Sequence, residues 1–376
     1  MSVKPLAVML DITSIPYGRG VSRYTANLAR ALFERNDIEL HLFGTSARQR
    51  DVLEQWCMDL GNTKRARLWS LPQSVLHGMW NTAGFPTPWM GLSQIEVYHA
   101  WDWQLAPITK EVPQVVTIHD LAYKLFPETA HPTVVAHYDR LLKTLEENSG
   151  IQVIAVSQAT KNDLVNLTSI DPERIHVVYE ALPEEARYVP SAKEVKTTIR
   201  RHGLTKPFLM WVGTAEPRKN LQRIIAAWEK VKDEFDLVLA GGEGWEKVGA
   251  QPGLHHLGYV DATTLACLYR EAHALVYASL YEGFGLPILE AYFHGCPVIT
   301  SRISSLPEVA GKPAILVDPY NETEIAEAFV ALEDRKSSAR KRRKDDMYKV
   351  LESFSWEEAA ARTRAVYALV AQQGMV

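Results

Sequence analysis

Residues 274–290 have the sequence ALVYASLYEGFGLPILE, the pattern of a buried strand, a tight turn and a helix start. The first four residues, Ala274–Tyr277, form a short apolar run that predicts a strand. Gly283 and Gly285 allow the backbone to turn sharply and to approach a ligand closely. Pro287 suits the first turn of a helix, where a missing N–H is not needed. This stretch therefore predicts one strand–loop–helix unit of an α/β fold.

Two carboxylates accompany the turn. Glu282 is in the loop and Glu290 follows about one turn into the helix, so both can face the same cleft. The free N–H groups at the start of a helix form an anion site. A tight turn with two solvated glutamates is the alternative. A ligand site accounts for the strand, turn, helix start and carboxylate spacing together.

The strand–loop–helix order recurs along the whole chain. A helical face is predicted for residues 20–35, and helix-length segments separate most of the other apolar runs. Short apolar runs predict further strands at 6–12, 38–43, 114–118, 152–156, 208–212, 237–240, 297–300 and 314–317. Strands that alternate with helices imply parallel sheets covered by helices on both faces.

The chain divides where this order is interrupted. Segment 183–206 is polar, contains two prolines and shows no clear strand, and strands restart near Pro207. We predict a Rossmann-like domain over 1–195, a second one over 196–352, and a terminal helix over 353–376 that crosses back onto the first domain. Two doubly wound domains leave a cleft at the carboxyl ends of their sheets, where such folds bind ligands.

Composition limits the cellular context and the partners. The 376 residues carry a net charge of −4, which argues against nucleic-acid binding, since that needs a basic face. The three cysteines are far apart and have no metal-like spacing, as expected for core thiols in a reducing compartment. The apolar run near the N-terminus is too short for a signal sequence or a membrane span. We therefore expect a cytoplasmic protein.

A second motif, GTAEPRKN at residues 213–220, stands between the predicted strand 208–212 and a predicted helix over 220–231. It sets Arg218 and Lys219 side by side at a helix start, where positive charge opposes the helix dipole. A bound diphosphate would reverse that penalty, each charge-assisted hydrogen bond contributing on the order of 1.5–3 kcal/mol. A solvated basic pair is the alternative.

Together these motifs resemble glycosyltransferase family 4, the retaining enzymes of the GT-B fold. The family's glutamate-x7-glutamate signature matches Glu282 and Glu290. Its arginine–lysine pair matches Arg218 and Lys219, and its histidine at the end of a first-domain strand matches His119.

The resemblance implies a first domain that binds the acceptor and a second that binds a nucleotide sugar. Arg218 and Lys219 would hold the diphosphate and Glu290 the ribose hydroxyls. Glu282 and His119 would hold the transferred sugar. The catalytic set is therefore His119, Glu282, Arg218 and Lys219.

Further residues receive roles from the same resemblance. Gly20, in the glycine-rich loop at 18–24, would lie against the donor or the acceptor. Tyr259 and Val260 would lie near the base through their backbone. The loop and helix start that complete the donor site are Gly283, Phe284, Gly285 and Leu286.

Acceptor-binding candidates lie in the first domain. Asp11 ends the first predicted strand. Trp101, Asp102 and Trp103 belong to an aromatic cluster on which a sugar could stack. Packing in a core or an interface explains these aromatics equally well.

Residues 117–121 (TIHDL) and 126–128 (FPE) are similar to bacterial polysaccharide and O-antigen mannosyltransferases. This favours GDP-mannose as donor over UDP-glucose or UDP-N-acetylglucosamine. A glycan or lipid-linked glycan would be the acceptor, and the product linkage would be α. No Asp-x-Asp site occurs, and the cationic pair can neutralise the leaving diphosphate, so we expect no metal cofactor.

Other classes fit less well. Neither glycine-rich stretch, at 18–24 or at 242–247, completes the G-x-G-x-x-G of a nicotinamide enzyme. A glycoside hydrolase needs no phosphate site, and the glutamate pair speaks against a sugar-nucleotide epimerase. A non-catalytic scaffold that binds nucleotide sugars stays open. The basic run 335–344 suggests either a peripheral contact with the inner membrane surface or a solvated helix face.

Overall fold

The computed structural model describes residues 4–373 except 19, 93, 102–103, 243, 245–247 and 333–336. The side chains of 337–342 and 373 also lie outside the description. Within the described chain, the strands are β1 (Leu6–Asp11), β2 (Ile38–Thr45), β3 (Ala66–Trp69), β4 (Val97–Ala100), β5 (Gln114–Ile118), β6 (Gln152–Ala155), β7 (Ile175–Val177), β8 (Phe208–Val212), β9 (Asp236–Ala240), β10 (Leu254–Gly258), β11 (Ala274–Tyr277), β12 (Val298–Ser301) and β13 (Ile315–Val317).

The helices alternate with these strands, which confirms the predicted α/β class. They are α1 (Gly20–Phe33), α2 (Arg50–Leu60), α3 (Gln73–Ala83), α4 (Ala122–Leu125), α5 (Pro132–Glu147), α6 (Gln158–Leu167), α7 (Ala192–Arg201), α8 (Leu221–Glu229), α9 (Ala262–Glu271), α10 (Leu286–Phe293), α11 (Leu306–Ala310), α12 (Glu322–Ala331), α13 (Ser337–Glu352) and α14 (Trp356–Gln373).

The first compact unit contains residues 1–124, 130–180 and 356–376. Its described strands form a seven-stranded parallel sheet in the order β3-β2-β1-β4-β5-β6-β7. Strand β5 is buried along its whole length, as expected for a parallel sheet with helices on both faces. The strand order reverses between β1 and β4, where Leu10 pairs with His99.

The second compact unit contains residues 125–129 and 181–355. Its described strands form a six-stranded parallel sheet in the order β10-β9-β8-β11-β12-β13. This order reverses between β8 and β11, where Leu275 pairs with Met210. Trp211 and Trp228 are fully buried in the core of this unit.

The division between the units falls at Glu180 and Ala181, before the predicted boundary at 195/196. The segment 183–206 is not irregular, because it contains α7. Ser191 caps α7 in a reciprocal capping box with Glu194. Helix α7 packs against α9, which draws this segment into the second unit.

The final helix, α14, belongs to the first unit although it follows the whole second unit in the chain. It packs against α1 and against the central strands of the first sheet. The Tyr367 hydroxyl lies 2.6 Å from Nδ1 of the buried His99 on β4. This polar contact fixes the helix to the strand.

The structure contains strands that hydrophobic patterning did not predict. These are β3, β4, β7 and β10, and each is short or carries polar residues. In β10, two adjacent histidines, His255 and His256, break the apolar run. In β4, Tyr98 and His99 are buried strand residues, so these two side chains pack in the core.

Among the described helices, none is both long and apolar enough to span a bilayer. Helix α13 contains most of the basic run 335–344. Arg335, Lys336 and the side chains of 337–342 lie outside the described residues. Membrane contact through this run therefore stays a prediction.

Candidate active site

The site of the second unit forms at the point where its strand order reverses. The chain leaves β8 into the loop 213–220 and leaves the neighbouring β11 into the loop 278–285. Both loops lie at the carboxyl edge of the sheet, where doubly wound folds bind ligands. The N–H of Leu280 donates to the carbonyl of Arg218 at 2.7 Å, which joins the two loops directly.

A cluster of opposite charges lies between these loops. Glu282 is 6% exposed and accepts from Arg218 Nη1 on Oε2 at 2.9 Å. Lys219 Nζ donates to Oε1 of the same carboxylate at 2.6 Å. Burial opposes ionisation of Glu282, but the two cations outweigh it and lower its pKa to about 2. The carboxylate is therefore charged throughout the physiological pH range.

The two cations have further partners. Arg218 Nε donates to Glu216 Oε2 at 2.9 Å. Lys219 Nζ donates to the hydroxyl of Tyr277 at 3.0 Å, and burial lowers the pKa of this lysine. Burial also raises the pKa of Tyr277, and the negative charge of Glu282 adds to this effect.

The basic pair precedes the helix, as predicted, but it lies in a turn of its own. Residues Pro217–Lys219 form a 3-10 turn, and α8 begins only at Leu221. Between them, Asn220 adopts a left-handed conformation at φ 60°, which asparagine tolerates better than most residues. Its Nδ2 donates to the carbonyls of Ala278 and Pro319 at 2.9 and 2.7 Å. Asn220 thus holds the loop that carries the cations.

Ser304 and Ser305 hold the loop that carries Glu282. Ser304 Oγ accepts from the N–H of Glu282 at 3.1 Å and donates to its carbonyl at 2.7 Å. Ser305 Oγ lies 2.8 Å from the carbonyls of both Glu282 and Phe284. Sequence reasoning missed these serines because they follow the next strand and belong to no local motif.

The loop enters α10 as predicted, with Pro287 in the first turn. Gly285 caps the helix at φ 114°, and a Cβ there would lie 3.1 Å from Leu306 Cδ2. Phe284 and Leu286 have buried side chains, and Phe284 packs edge-on against Phe354. Gly283 and Gly285 offer a ligand only backbone groups.

Glu290 lies on α10 and is 2% exposed. Its Oε2 accepts from the hydroxyl of Tyr269, on α9, at 3.1 Å. Helix α9 is capped by Asp261, directly after Val260 and the highly exposed Tyr259. The residues predicted to lie near the base are therefore at the start of α9. Glu290, predicted to bind the ribose, lies beside the second half of the same helix.

In the first unit, His119 follows β5 directly. Its Nδ1 lies 3.0 Å from Oε1 of Glu180, and both side chains are largely buried. The ring of Tyr24 packs edge-on against the imidazole with centroids 4.7 Å apart. Thr160 Oγ1 donates to the His119 carbonyl at 3.2 Å. Glu180 was not predicted, because it lies near no motif and far from His119 in the chain.

Asp11 ends β1, at the reversal point of the first sheet, and is 3% exposed. It accepts from the hydroxyl of Tyr98 at 2.7 Å and from the N–H of Thr13 at 2.9 Å. Burial nevertheless raises its pKa to about 6. A buried carboxylate with a raised pKa at a ligand-binding edge is typical of a functional site.

Trp101 follows β4 at the same edge and stacks on Tyr17 with ring centroids 6.4 Å apart. Half of Tyr17 is exposed, and its hydroxyl donates to Gln73 Oε1 at 3.0 Å. Sequence reasoning missed Tyr17 and Gln73. Asp102 and Trp103, the other predicted acceptor residues, lie outside the described residues.

Gly20 begins α1 in the first unit. A Cβ added there would meet nothing within 4 Å, so the surrounding chain does not require a glycine. Its predicted contact with a donor or acceptor stays a prediction. Among the described residues, no three His, Cys, Asp or Glu side chains group as a metal site requires.

Asp11→Asn is expected to stabilise the protein at neutral pH. Because the folded pKa of about 6 exceeds the ordinary aspartate value of 3.8, the carboxyl favours folding only when protonated, and this contribution is lost between about pH 4 and 6. The loss is on the order of 3 kcal/mol. Asparagine cannot ionise, so the gain should be large at pH 7.5 and absent at pH 4. Urea unfolding at both pH values measures it, and a variant less stable at pH 7.5 contradicts it.

Solved structures share this architecture along nearly the whole chain. A glycosyltransferase from Rickettsia africae aligns with a TM-score of 0.73 at 14% identity and covers 98% of this chain and 99% of its own. The Anabaena protein HepE, in complex with UDP and glucose, aligns with a TM-score of 0.69 at 15% identity over 96% and 99%. Two Rossmann-like units, each built on a parallel sheet, define the GT-B fold.

Sequence comparison identifies the family. Residues 18–185 match the family model described as Glycosyltransferase Family 4, and residues 206–335 match the model described as Glycosyl transferases group 1. O-antigen chain mannosyltransferase B of Escherichia coli is 32% identical over 273 residues, which cover 68% of this chain and 70% of that protein. An MMP alpha-(1->4)-mannosyltransferase of Mycolicibacterium hassiacum is 28% identical over 230 residues, covering 57% and 53%. The chain belongs to glycosyltransferase family 4.

Proposed function

We propose that this glycosyltransferase moves mannose from GDP-mannose to a glycan or lipid-linked glycan and forms an α linkage. The observation that carries the proposal is the partly buried pair Arg218 and Lys219 at the reversal point of the second sheet. Two desolvated cations at a ligand-binding edge suit a diphosphate. The mannosyltransferase relatives support mannose as the transferred sugar.

Leaving-group departure is the step that the second unit assists. Negative charge develops on the diphosphate as the glycosidic bond breaks, and preorganised donors stabilise it. Arg218, Lys219 and the start of α10 supply such donors. A guanidinium and an ammonium each carry several N–H donors, so both cations can bind Glu282 and phosphate oxygens together. A metal ion is then not required to neutralise the diphosphate.

Glu282 is proposed to bind hydroxyls of the transferred sugar and not to attack it. Both of its oxygens accept from a cation, and its pKa of about 2 makes it a weak nucleophile. A double displacement needs a carboxylate free to attack the anomeric carbon. We therefore propose a front-face route through a short-lived oxocarbenium ion pair, in which a diphosphate oxygen takes the acceptor's proton. His119 orients the sugar and is not a general base.

The test is a donor screen followed by product analysis. GDP-mannose, UDP-glucose and UDP-N-acetylglucosamine are compared by thermal shift and hydrolysis, each with and without EDTA. We expect GDP-mannose to be preferred, EDTA to have no effect, and nuclear magnetic resonance of the product to show the donor's α configuration. A β product, or a glycosylated Glu282 trapped in a mass spectrum, contradicts the mechanism. Activity lost in EDTA and restored by magnesium contradicts metal independence.

The second candidate donor is a UDP sugar. The observation that favours it is the shared fold with the Anabaena protein in complex with UDP and glucose. Faster turnover of UDP-glucose or UDP-N-acetylglucosamine in the same screen would establish this alternative. Donor binding without turnover of any sugar would instead indicate a non-catalytic scaffold.

A further inference from the structure

Tyr269 is a buried tyrosine of the second unit to which the proposed function assigns no role. It lies on α9 with 1% of its surface exposed. Its hydroxyl donates to Oε2 of Glu290, on α10, at 3.1 Å. This hydrogen bond joins α9, whose start is predicted to lie near the base, to Glu290, which is predicted to bind the ribose.

The orientation of the Glu290 carboxylate decides what it can bind. An ionised carboxylate only accepts hydrogen bonds, and its terminal torsion is broad and roughly two-fold. The two adjacent hydroxyls of a ribose can each donate to one carboxylate oxygen only when both oxygens face the ribose. A donor fixed on Oε2 restricts this torsion, and a carboxylate oxygen can accept more than one hydrogen bond.

The Tyr269 ring is itself held in place. It stacks on His294, at the end of α10, with centroids 5.9 Å apart and an interplanar angle of 10°. Burial lowers the pKa of His294, so this ring is neutral at pH 7. The stacking therefore fixes the direction of the tyrosine hydroxyl without adding a cation beside Glu290.

We propose that Tyr269 is a positioning residue for nucleotide recognition, orienting Glu290 so that its carboxylate accepts from both ribose hydroxyls. The proposal rests on the proposed function, in which Glu290 binds the ribose. The proposal adds that α9 contributes to binding of the whole nucleoside. The base lies near Val260, just before the helix, and Tyr269 further along orients the carboxylate that binds the ribose.

Tyr269→Phe removes only the hydroxyl and tests this role. We expect the Kd for GDP to rise about three- to tenfold, the effect of losing one hydrogen bond. With 2′,3′-dideoxy-GDP the rise should be less than about twofold, because no ribose hydroxyl is left to misplace. Isothermal titration calorimetry measures both values, and UDP with its dideoxy form replaces the guanine pair if UDP binds more tightly.

Tyr292→Phe is the matched control. Tyr292 lies on α10 and, like Tyr269, is fully buried. Its hydroxyl donates to the carbonyl of Ala310 at 2.7 Å. Its loss should lower the melting temperature and leave the Kd for both nucleotides unchanged. A general loosening of α10 would instead weaken nucleotide binding in both tyrosine variants.

The outcomes separate this proposal from the function on which it rests. Equal losses for GDP and dideoxy-GDP in Tyr269→Phe, or no loss for either, overturn the positioning role. Glu290→Gln should weaken GDP by about tenfold or more, and dideoxy-GDP much less. An undiminished loss with the dideoxy nucleotide in Glu290→Gln overturns the ribose role of Glu290 itself.

Discussion

Glu282→Gln is expected to lower kcat by about 10²–10³-fold, the cost of removing one preorganised group from an active site. Glutamine keeps the shape but turns one acceptor oxygen into a donor. Since Arg218 and Lys219 each donate to a different carboxylate oxygen, the new NH2 group must face one of the two cations. The sugar also loses a charged acceptor. Steady-state kinetics with the preferred donor measure the loss.

The same variant should change the stability at acid pH. The folded pKa of Glu282 is about 2 against the ordinary glutamate value of 4.5, so this group stabilises the fold above pH 4.5 and loses that effect as the pH falls towards 2. The contribution is on the order of 3 kcal/mol at neutral pH. Glu282→Gln should therefore be less stable than the natural protein at pH 7 and lose less stability on acidification.

Glu216→Gln is the matched control for Glu282→Gln. Glu216 also binds Arg218, but its side chain is more exposed than that of Glu282. Lys219 forms its ion pair with Glu282, so the Glu216 variant leaves that pair in place. We expect its activity to fall less than about tenfold, the effect of losing one hydrogen bond, because Glu282 still binds both cations. Losses of the same size in both variants would mean that general neutralisation of Arg218, and not the position of Glu282, governs activity.

Lys219→Ala is expected to weaken nucleotide diphosphate binding by about 1.5–3 kcal/mol, the contribution of a charge-assisted hydrogen bond. Transfer should slow further, because the leaving diphosphate loses one of its stabilising charges. Arg218→Ala should behave in the same way. Binding of the nucleoside alone should barely change, because neither cation is proposed to contact the base or the ribose. Titrations with GDP and guanosine measure the difference.

Lys230→Ala gives the control for the loss of a positive charge from the same unit. Its Nζ donates to the hydroxyl of the exposed Thr323 at 3.0 Å. GDP binding should be unchanged in this variant. Equal losses for GDP and guanosine in Lys219→Ala would contradict the diphosphate assignment and indicate that the loop 213–220 had been distorted.

The α/β class could be predicted because it depends on local patterns. Strands β8 and β11 are continuous apolar runs, since parallel strands are buried on both faces. The start of α10 was predictable because Pro287 and the preceding glycines act within one turn of chain. Local signals failed where polar residues interrupt a strand, as the histidines of β10 do.

The charged residues of the site could be named from the sequence, because each lies in a compact motif next to a strand end. Glu282 and Glu290 share one strand–loop–helix unit, and Arg218 and Lys219 share another. Their proximity was only implied by the resemblance. It depends on β8 and β11 being neighbours in the sheet, a result of strand order and not of spacing along the chain.

Only the tertiary structure showed what holds these residues in place. Ser304 holds the Glu282 backbone from beyond the next strand, Tyr269 reaches Glu290 from another helix, and Glu180 reaches His119 across 61 positions of the chain. The sequence determined which elements form and which side chains are chemically suited to bind a nucleotide sugar, because those properties are local. The structure decided which of them meet, because contacts between distant residues follow from packing and sheet order.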